Sequence, residues 1–239
     1  MEHLPQIFVI SLTRSSDRRA AIQKRFTQLG IRYRFFDAVD GNQLTVQDWE
    51  RVCLERAKAE YGKYVSKAEI GCALSHLRIY EKCLAENIDN VLILEDDIIV
   101  PDNFPELLAT LFAKKNHQCE MALIFHGKCK SSWFYRTLSD KHKLKKLKAP
   151  SANSKRVVTG TAGYWINRSG MQKLLNMGYP VRMPADYLTG LIQKNRLNCY
   201  VVEPNLVQTG GFASTILREE ADRHQSHAEM RQHCGFEPS

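Results

Sequence analysis

Gln6-Ile-Phe-Val-Ile-Ser-Leu12 is an apolar run of strand length, and it is followed by a segment in which Ala20, Ile22, Phe26 and Leu29 recur at helical spacing. Ser15 and Ser16 stand where such a helix needs caps, and Gly30 stands in the C′ position that closes it. Ile31 to Phe36 is again strand-like, and Asp37-Ala-Val-Asp-Gly41 ends it with turn chemistry. A strand, a helix and a second strand are the simplest account of this start. The alternation continues, with helix predicted from Thr45 to about Tyr61. A second helix, from Ser66 to about Asn87, opens on the capping-box pattern Ser66-Lys-Ala-Glu69. Val91 to Leu94 reads as a buried strand, Asn103 to Lys115 as helix, and Met121 to Phe125 and Val157 to Ile166 as strands. Ser169 to Met177 reads as helix and Asn198 to Glu203 as a last strand. This order predicts one α/β domain over 1–239, Rossmann-like, with a mainly parallel sheet between helices and ligands at the carboxyl ends of its strands.

With 239 residues, 44% hydrophobic and 25% charged, the chain can bury a core in one or at most two domains, which excludes disorder and fibrous repeats. The formal charge of +8 is concentrated: Lys114 to Arg156 holds twelve Lys/Arg against Glu120 and Asp140, so the remainder is slightly acidic. Within that stretch Lys141-His-Lys-Leu-Lys-Lys-Leu-Lys148, followed by Pro150, predicts a mobile basic insertion or lid at about 127–156. A helical tail is expected at about 214–239. No apolar run is long enough to span a bilayer and the first residues lack the pattern of a signal peptide, so the expected location is cytoplasmic. The seven cysteines include no C-x-x-C pair and read as buried thiols, not disulfides or a zinc site.

Four constellations could carry chemistry. Leu92-Ile-Leu-Glu-Asp-Asp97 ends a buried strand in three acids whose mutual repulsion must be offset. On an extended chain Glu95 and Asp97 share one side and Asp96 takes the other, an acid-x-acid pair suited to a hard divalent ion bridging phosphates, or else a solvated acidic turn. No glycine-rich phosphate loop follows the first strand. In Glu69-Ile-Gly-Cys-Ala-Leu-Ser-His76, the residues Glu69, Cys72 and His76 share a helix face beside a core stripe, with capping and an ordinary helix histidine as the plainer readings. Arg14, Arg18 and Arg19 near a helix start could clamp a diphosphate or simply be surface arginines. Asp186, in Met183-Pro-Ala-Asp-Tyr187, is either a first-turn helix carboxylate or a general base.

Taken in order, Val9-Ile-Ser-Leu-Thr-Arg14 with Asp17-Arg-Arg19, Phe36-Asp-Ala-Val-Asp-Gly41, Glu69 to His76, Leu92 to Asp97, Gly160-Thr-Ala-Gly-Tyr164 and Pro184-Ala-Asp186 resemble glycosyltransferase family 25. That family comprises the bacterial lipooligosaccharide and lipopolysaccharide galactosyltransferases. The resemblance spans residues 7 to about 208 and implies a GT-A-like fold. It also implies a UDP-galactose donor and inverting, β-1,4-type hexosyl transfer to a lipooligosaccharide or lipopolysaccharide outer-core glycolipid. It implies a divalent metal, manganese or magnesium, on Asp97, with Glu95 or Asp96 assisting donor binding at the ribose or from behind the metal's direct ligands. Ile10, Ser11, Leu12, Arg14, Arg18, Asp37 and His76 would line the donor pocket. Asp186, outside the acidic motif and ahead of a helix, is the expected general base. The sequence departs from the Asp-x-Asp of related GT-A enzymes in having Glu95 as the first acid.

A UDP-glucose-dependent transferase of the same family and a nucleotidyltransferase are the competing enzymes. From another class, lysines mixed with Trp133, Phe134 and Tyr135 would suit a nucleic-acid module, but that leaves the acidic strand end without purpose, so no nucleic-acid partner is expected. The basic stretch is instead expected to meet an anionic acceptor or the anionic inner face of the membrane, as a peripheral contact.

Overall fold

In the computed structural model, which describes residues 4–62 and 64–210, the first apolar run is strand β1 (Gln6–Ser11). It is apolar on both sides because both are covered: Phe8 and Ile10 join one buried cluster, Ile7 and Val9 the other. After β1 come α1 (Ser16–Gln28), β2 (Arg34–Asp37), a 3-10 turn at Gly41–Gln43, α2 (Val46–Trp49), α3 (Leu54–Tyr61) and α4 (Lys67–Ala85). Then follow β3 (Asn90–Glu95), β4 (Ile98–Ile99), α5 (Phe104–Lys114), β5 (Met121–Leu123), β6 (Ser131–Thr137), β7 (Lys143–Leu147) and β8 (Gly163–Asn167). α6 (Arg168–Gly178), α7 (Ala185–Gly190), α8 (Ile192–Asn195), β9 (Cys199–Glu203) and β10 (Gln208–Thr209) complete the described chain.

Eight strands form one sheet in the order β2-β1-β3-β8-β5-β9-β7-β6. β1 is parallel to β2 and β3, and β5 to β9; β8 runs antiparallel between β3 and β5, and β7 antiparallel between β9 and β6. One face is covered by Ile70, Leu74, Leu77 and Tyr80 of α4 with Met171 and Leu174 of α6, the other by Ile22 and Phe26 of α1 with Leu107, Leu108 and Leu111 of α5. The chain is thus α/β, with a mixed, mostly parallel sheet flanked by helices, as the order of elements predicts.

Three segments depart from the sequence pattern. The helix expected from Thr45 to Tyr61 is broken at Arg51–Cys53, where the backbone pairs with Val181: Val181 N–H donates to Arg51 O at 2.7 Å and Cys53 N–H to Val181 O at 2.9 Å. Bonds made across the fold replace those a continuous helix would make. The strand expected from Val157 pairs only from Gly163 onward, because β3 and β5 flank it only there. The basic interval is not a separate lid in its central part: β6 and β7 are strands of the main sheet, with Leu144 and Leu147 turned into the core between exposed or half-exposed lysines. The two leucines are three residues apart, so they point to opposite faces of the sheet and each joins a different core cluster. The expected helical tail lies outside the described residues. Among the described residues no helix is long and apolar enough to cross a membrane.

Candidate functional site

Strand register frames the site. Ser11 lies opposite Asp37 on β2 and Ile10 opposite Glu95 on β3, so three parallel strands end side by side, the position where open α/β sheets bind ligands. The buried Ser11 hydroxyl donates to Asp96 Oδ2 at 2.7 Å, and Arg18 Nη1 donates to Asp96 Oδ1 at 2.9 Å. A buried carboxylate needs such partners on both oxygens, so Asp96 ties the start of α1 to the end of β3. Arg19 Nη2 donates to Ser11 O at 2.7 Å and pairs with Asp37, while Arg14 pairs with Asp40.

The opposite wall comes from α4. Ser66 and Glu69 form the reciprocal capping box that their spacing predicts, so the Glu69 carboxylate is occupied at the helix start. One turn on, Gly71 lets the 38–41 loop approach the helix: a Cβ there would sit 2.6 Å from Val39 O. Ser75 Oγ then accepts from Val39 N–H at 2.8 Å and donates to Gly71 O at 2.7 Å. The result is a cleft between the strand ends, the 38–41 loop and the first turns of α4.

His76 lies at the base of this wall and is fully buried. Its Nδ1 is 2.7 Å from Tyr164 Oη, which is 2.5 Å from Tyr80 Oη. Its Nε2 is buried without a hydrogen-bond partner and faces Glu95 Oε1 at 3.8 Å, beyond bonding distance. A carboxylate in that direction favours N–H on Nε2. Tyr80 then donates to Tyr164 and Tyr164 to Nδ1, a directional chain that fixes the imidazole.

The acids diverge from their alternating start. Thr161 Oγ1 is 2.6 Å from Glu95 Oε1 and 3.0 Å from Asp186 Oδ1. One hydroxyl carries one proton, so when it donates to Glu95 the bond to Asp186 requires a protonated carboxyl. The electrostatics agree. Burial raises Glu95, but His76, Thr161 and Arg18 outweigh it and hold that carboxyl below its usual range, whereas burial and the Glu95 charge push Asp186 up. Asp97 is pushed up to about 6 by burial, with Glu95 and Asp96 adding to it. Its Oδ1 is buried without a donor. An acceptor oxygen left in that state beside a second carboxylate fits a hard divalent cation, which Asp97 and Glu95 would hold. Cys72, His76 and Glu95 present a thiol, an imidazole and a carboxylate within 4.8 Å of one another in the same cleft.

Of the residues singled out from sequence, Ile10, Ser11, Leu12, Arg14, Arg18, His76, Glu95 and Asp96 line the cleft. Asp37 does not: its carboxylate is mostly exposed and holds Arg19. Asp97 lies in the turn after β3, and Asp186, at the start of α7, reaches the cleft acids through Thr161. Cys72 joins His76 in the lining, as their shared helix face predicts; residues the sequence reading passed over are Asp40 and Ser75 in the lining and Thr161 between the acids. All three lie in or beside segments with recognisable motifs, but nothing in their spacing marks what they touch. A second groove is lined by Lys128, Lys130, Lys148 and Arg156, and its wall at Val157–Val158 leads along the chain to Thr161.

Comparison with known proteins is consistent with this layout. The family described as glycosyltransferase family 25 (LPS biosynthesis protein) matches residues 4–189. The lipooligosaccharide biosynthesis protein lic2B of Haemophilus influenzae is 28% identical over 173 residues, 70% of this chain and 61% of that protein. A glycosyltransferase 25 family member of Aedes aegypti is 33% identical over 126 residues, 51% of this chain, and the human inactive glycosyltransferase 25 family member 3 is 36% identical over 103 residues, 41% of this chain. The chain spans only about a fifth of the length of these two animal relatives, 21% and 17%. With the family match extending over most of its length, this chain belongs to glycosyltransferase family 25.

Proposed function

We propose that the chain is an inverting glycosyltransferase of GT-A-like architecture that transfers galactose from UDP-galactose to a lipooligosaccharide or lipopolysaccharide outer-core acceptor. The observation that carries the reading is the Glu95–Thr161–Asp186 linkage, which joins the cleft at the strand ends to the segment that walls the basic groove. The donor occupies the cleft, with Arg14 and Arg18 on the diphosphate side, and the phosphates and acidic sugars of the acceptor favour the cationic groove. A divalent cation on Asp97 and Glu95 would supply charge neutralisation of the diphosphate. Asp186 is the general base: it takes the proton of the acceptor hydroxyl as the oxygen bonds to the sugar anomeric carbon and the bond to UDP breaks on the opposite face. Its raised affinity for protons suits that role, and activity is expected to rise with pH as Asp186 ionises. The exposed aromatics and lysines of β6 and β7 favour a peripheral contact with an anionic membrane, where such an acceptor resides.

Asp186→Asn should lower kcat by about 10²–10⁴-fold while the affinity for UDP-galactose, measured by calorimetry, changes little. An Asn variant with wild-type turnover overturns the assignment of the base. A screen of UDP-galactose, UDP-glucose and UDP-N-acetyl sugars with truncated lipooligosaccharides, with and without manganese, tests the donor, and equal turnover of all of them would refute the galactose reading.

A further inference from the structure

We infer that His126, Cys129 and Glu203 form a second metal site, of zinc type, separate from the acids of the donor cleft. His126 and Cys129 stand three apart in the connection after β5, and Glu203 ends β9. Cys129 Sγ is 3.6 Å from His126 Nδ1 and 3.9 Å from Glu203 Oε1, and the three ligand atoms lie within 4.8 Å of one another. With Zn–S near 2.3 Å and Zn–N or Zn–O near 2.0–2.1 Å, the edges of a tetrahedral site are about 3.5 Å, so only small shifts are needed to close it.

The imidazole is already oriented as a ligand. Its Nε2 lies 3.1 Å from Val202 O, a backbone acceptor for N–H on that nitrogen of the kind that outer partners offer metal-bound histidines. Nδ1 then turns its lone pair toward Cys129 and also lies 2.8 Å from Gly127 O. Two lone pairs at that distance repel unless a proton or a cation intervenes. Glu203 is prepared in a complementary way. Lys145 Nζ donates to Oε2 at 2.7 Å and leaves Oε1 facing the thiol. Burial raises this carboxyl, but Lys145 and Ser131 outweigh it, so Glu203 is ionised at neutral pH.

Cys129 is a thiol in the absence of metal, pushed up to about 11 by burial and the Glu203 charge. Binding therefore breaks the S–H bond, releases that proton to solvent and forms the metal–sulfur bond, with no change of oxidation state. Thiolate and carboxylate together neutralise a divalent ion. The mixed sulfur, nitrogen and oxygen set selects zinc, or cobalt as its probe, over magnesium or manganese. The ion would clamp the connection that carries Lys128 and Lys130 to the end of β9, fixing one wall of the basic groove.

The test uses the full chain, reduced, stripped with EDTA and titrated with Co²⁺ alone. One equivalent should give a thiolate-to-cobalt charge-transfer band that stoichiometric Zn²⁺ discharges. The band should vanish in Cys129→Ser and persist in Cys72→Ser, with far-UV circular dichroism confirming that both fold. Zn²⁺ should raise the melting temperature of the wild type and not of His126→Ala. If Cys129→Ser fails to fold, Glu203→Gln serves in its place, with Zn²⁺ affinity expected to fall at least tenfold. No band in the wild type, a band that survives Cys129→Ser, a band lost in Cys72→Ser, or unchanged affinity in Glu203→Gln would overturn the proposal.

Discussion

At Asp97 one carboxylate oxygen is buried without a donor, in a turn where two other acids are its immediate neighbours. The folded chain keeps this proton up to about pH 6, whereas the unfolded chain releases it near 3.8. Between those values folding takes up a proton, so this residue's contribution makes stability fall as pH rises through the window and level off above it. Without metal, Asp97→Asn should be more stable than the wild type at pH 7 by about 1–2 kcal/mol, the full shift being discounted for partial solvent screening. The difference should disappear near pH 4. Thermal melts in EDTA at the two pH values check this, and identical melting at pH 7 would refute it. Manganese should narrow the gap by stabilising the wild type selectively. Asp96, the middle acid, is the opposite case: Ser11 and Arg18 satisfy both its oxygens, so it braces the cleft from within the protein. The strand ends at Glu95, so Asp96 and Asp97 stand in the turn, where the alternation expected of an extended chain no longer sorts them; the partners that divide them come from β1 and α1.

At the scale of elements, the seat of the 38–41 loop on α4 decides the cleft's shape. Two glycines make the approach possible: a Cβ on Gly41 would meet Lys67 O at 2.1 Å, and one on Gly71 would meet Val39 O at 2.6 Å and Gly41 N at 2.9 Å. These neighbours are backbone, so neither contact can relax by a rotamer change. Gly71→Ala should cost about 1–3 kcal/mol of stability and push the loop, with Asp40, away from the helix. UDP-sugar affinity should fall about tenfold, equivalent to about 1.4 kcal/mol. Melting curves and calorimetric titration check the pair of effects, and a stable variant with unchanged affinity would show that the loop's seat is irrelevant to the donor. The capping box at Ser66 and Glu69 was legible from spacing because both partners belong to one helical turn. The break between α2 and α3 was not, because Val181, which pairs there, lies far along the chain.

Over the whole molecule, charge and apolar surface are segregated. The excess of lysine and arginine falls between 114 and 156, and within it Trp133 and Phe134 on the outermost strand are 88% and 89% exposed. Lys143 lies over the Tyr135 ring at 4.4 Å, placing a cation against the same aromatic row. Apolar rings beside lysines at a sheet edge are suited to the boundary between lipid headgroups and acyl chains. Replacing Trp133 and Phe134 together by serine should weaken binding to vesicles containing anionic lipid at least tenfold, without altering turnover of a soluble acceptor. Vesicle co-sedimentation and a soluble-acceptor assay measure the two. If the edge instead joins a second copy of the chain, light scattering will detect a dimer that the double variant loses, and vesicle binding will not change.

The alternation of apolar runs with helical periodicity determined the α/β class, since each element's period is local and is read directly from which neighbours must be buried together. The same pattern put three acids at the end of a buried strand. What joins them was decided only in three dimensions: Thr161 and Glu95 are 66 residues apart, His76 and Tyr164 are 88 apart. Both contacts depend on β8 lying antiparallel between β3 and β5. Strand order and register are properties of the assembled sheet, and no periodicity in the chain encodes which strand becomes another's neighbour.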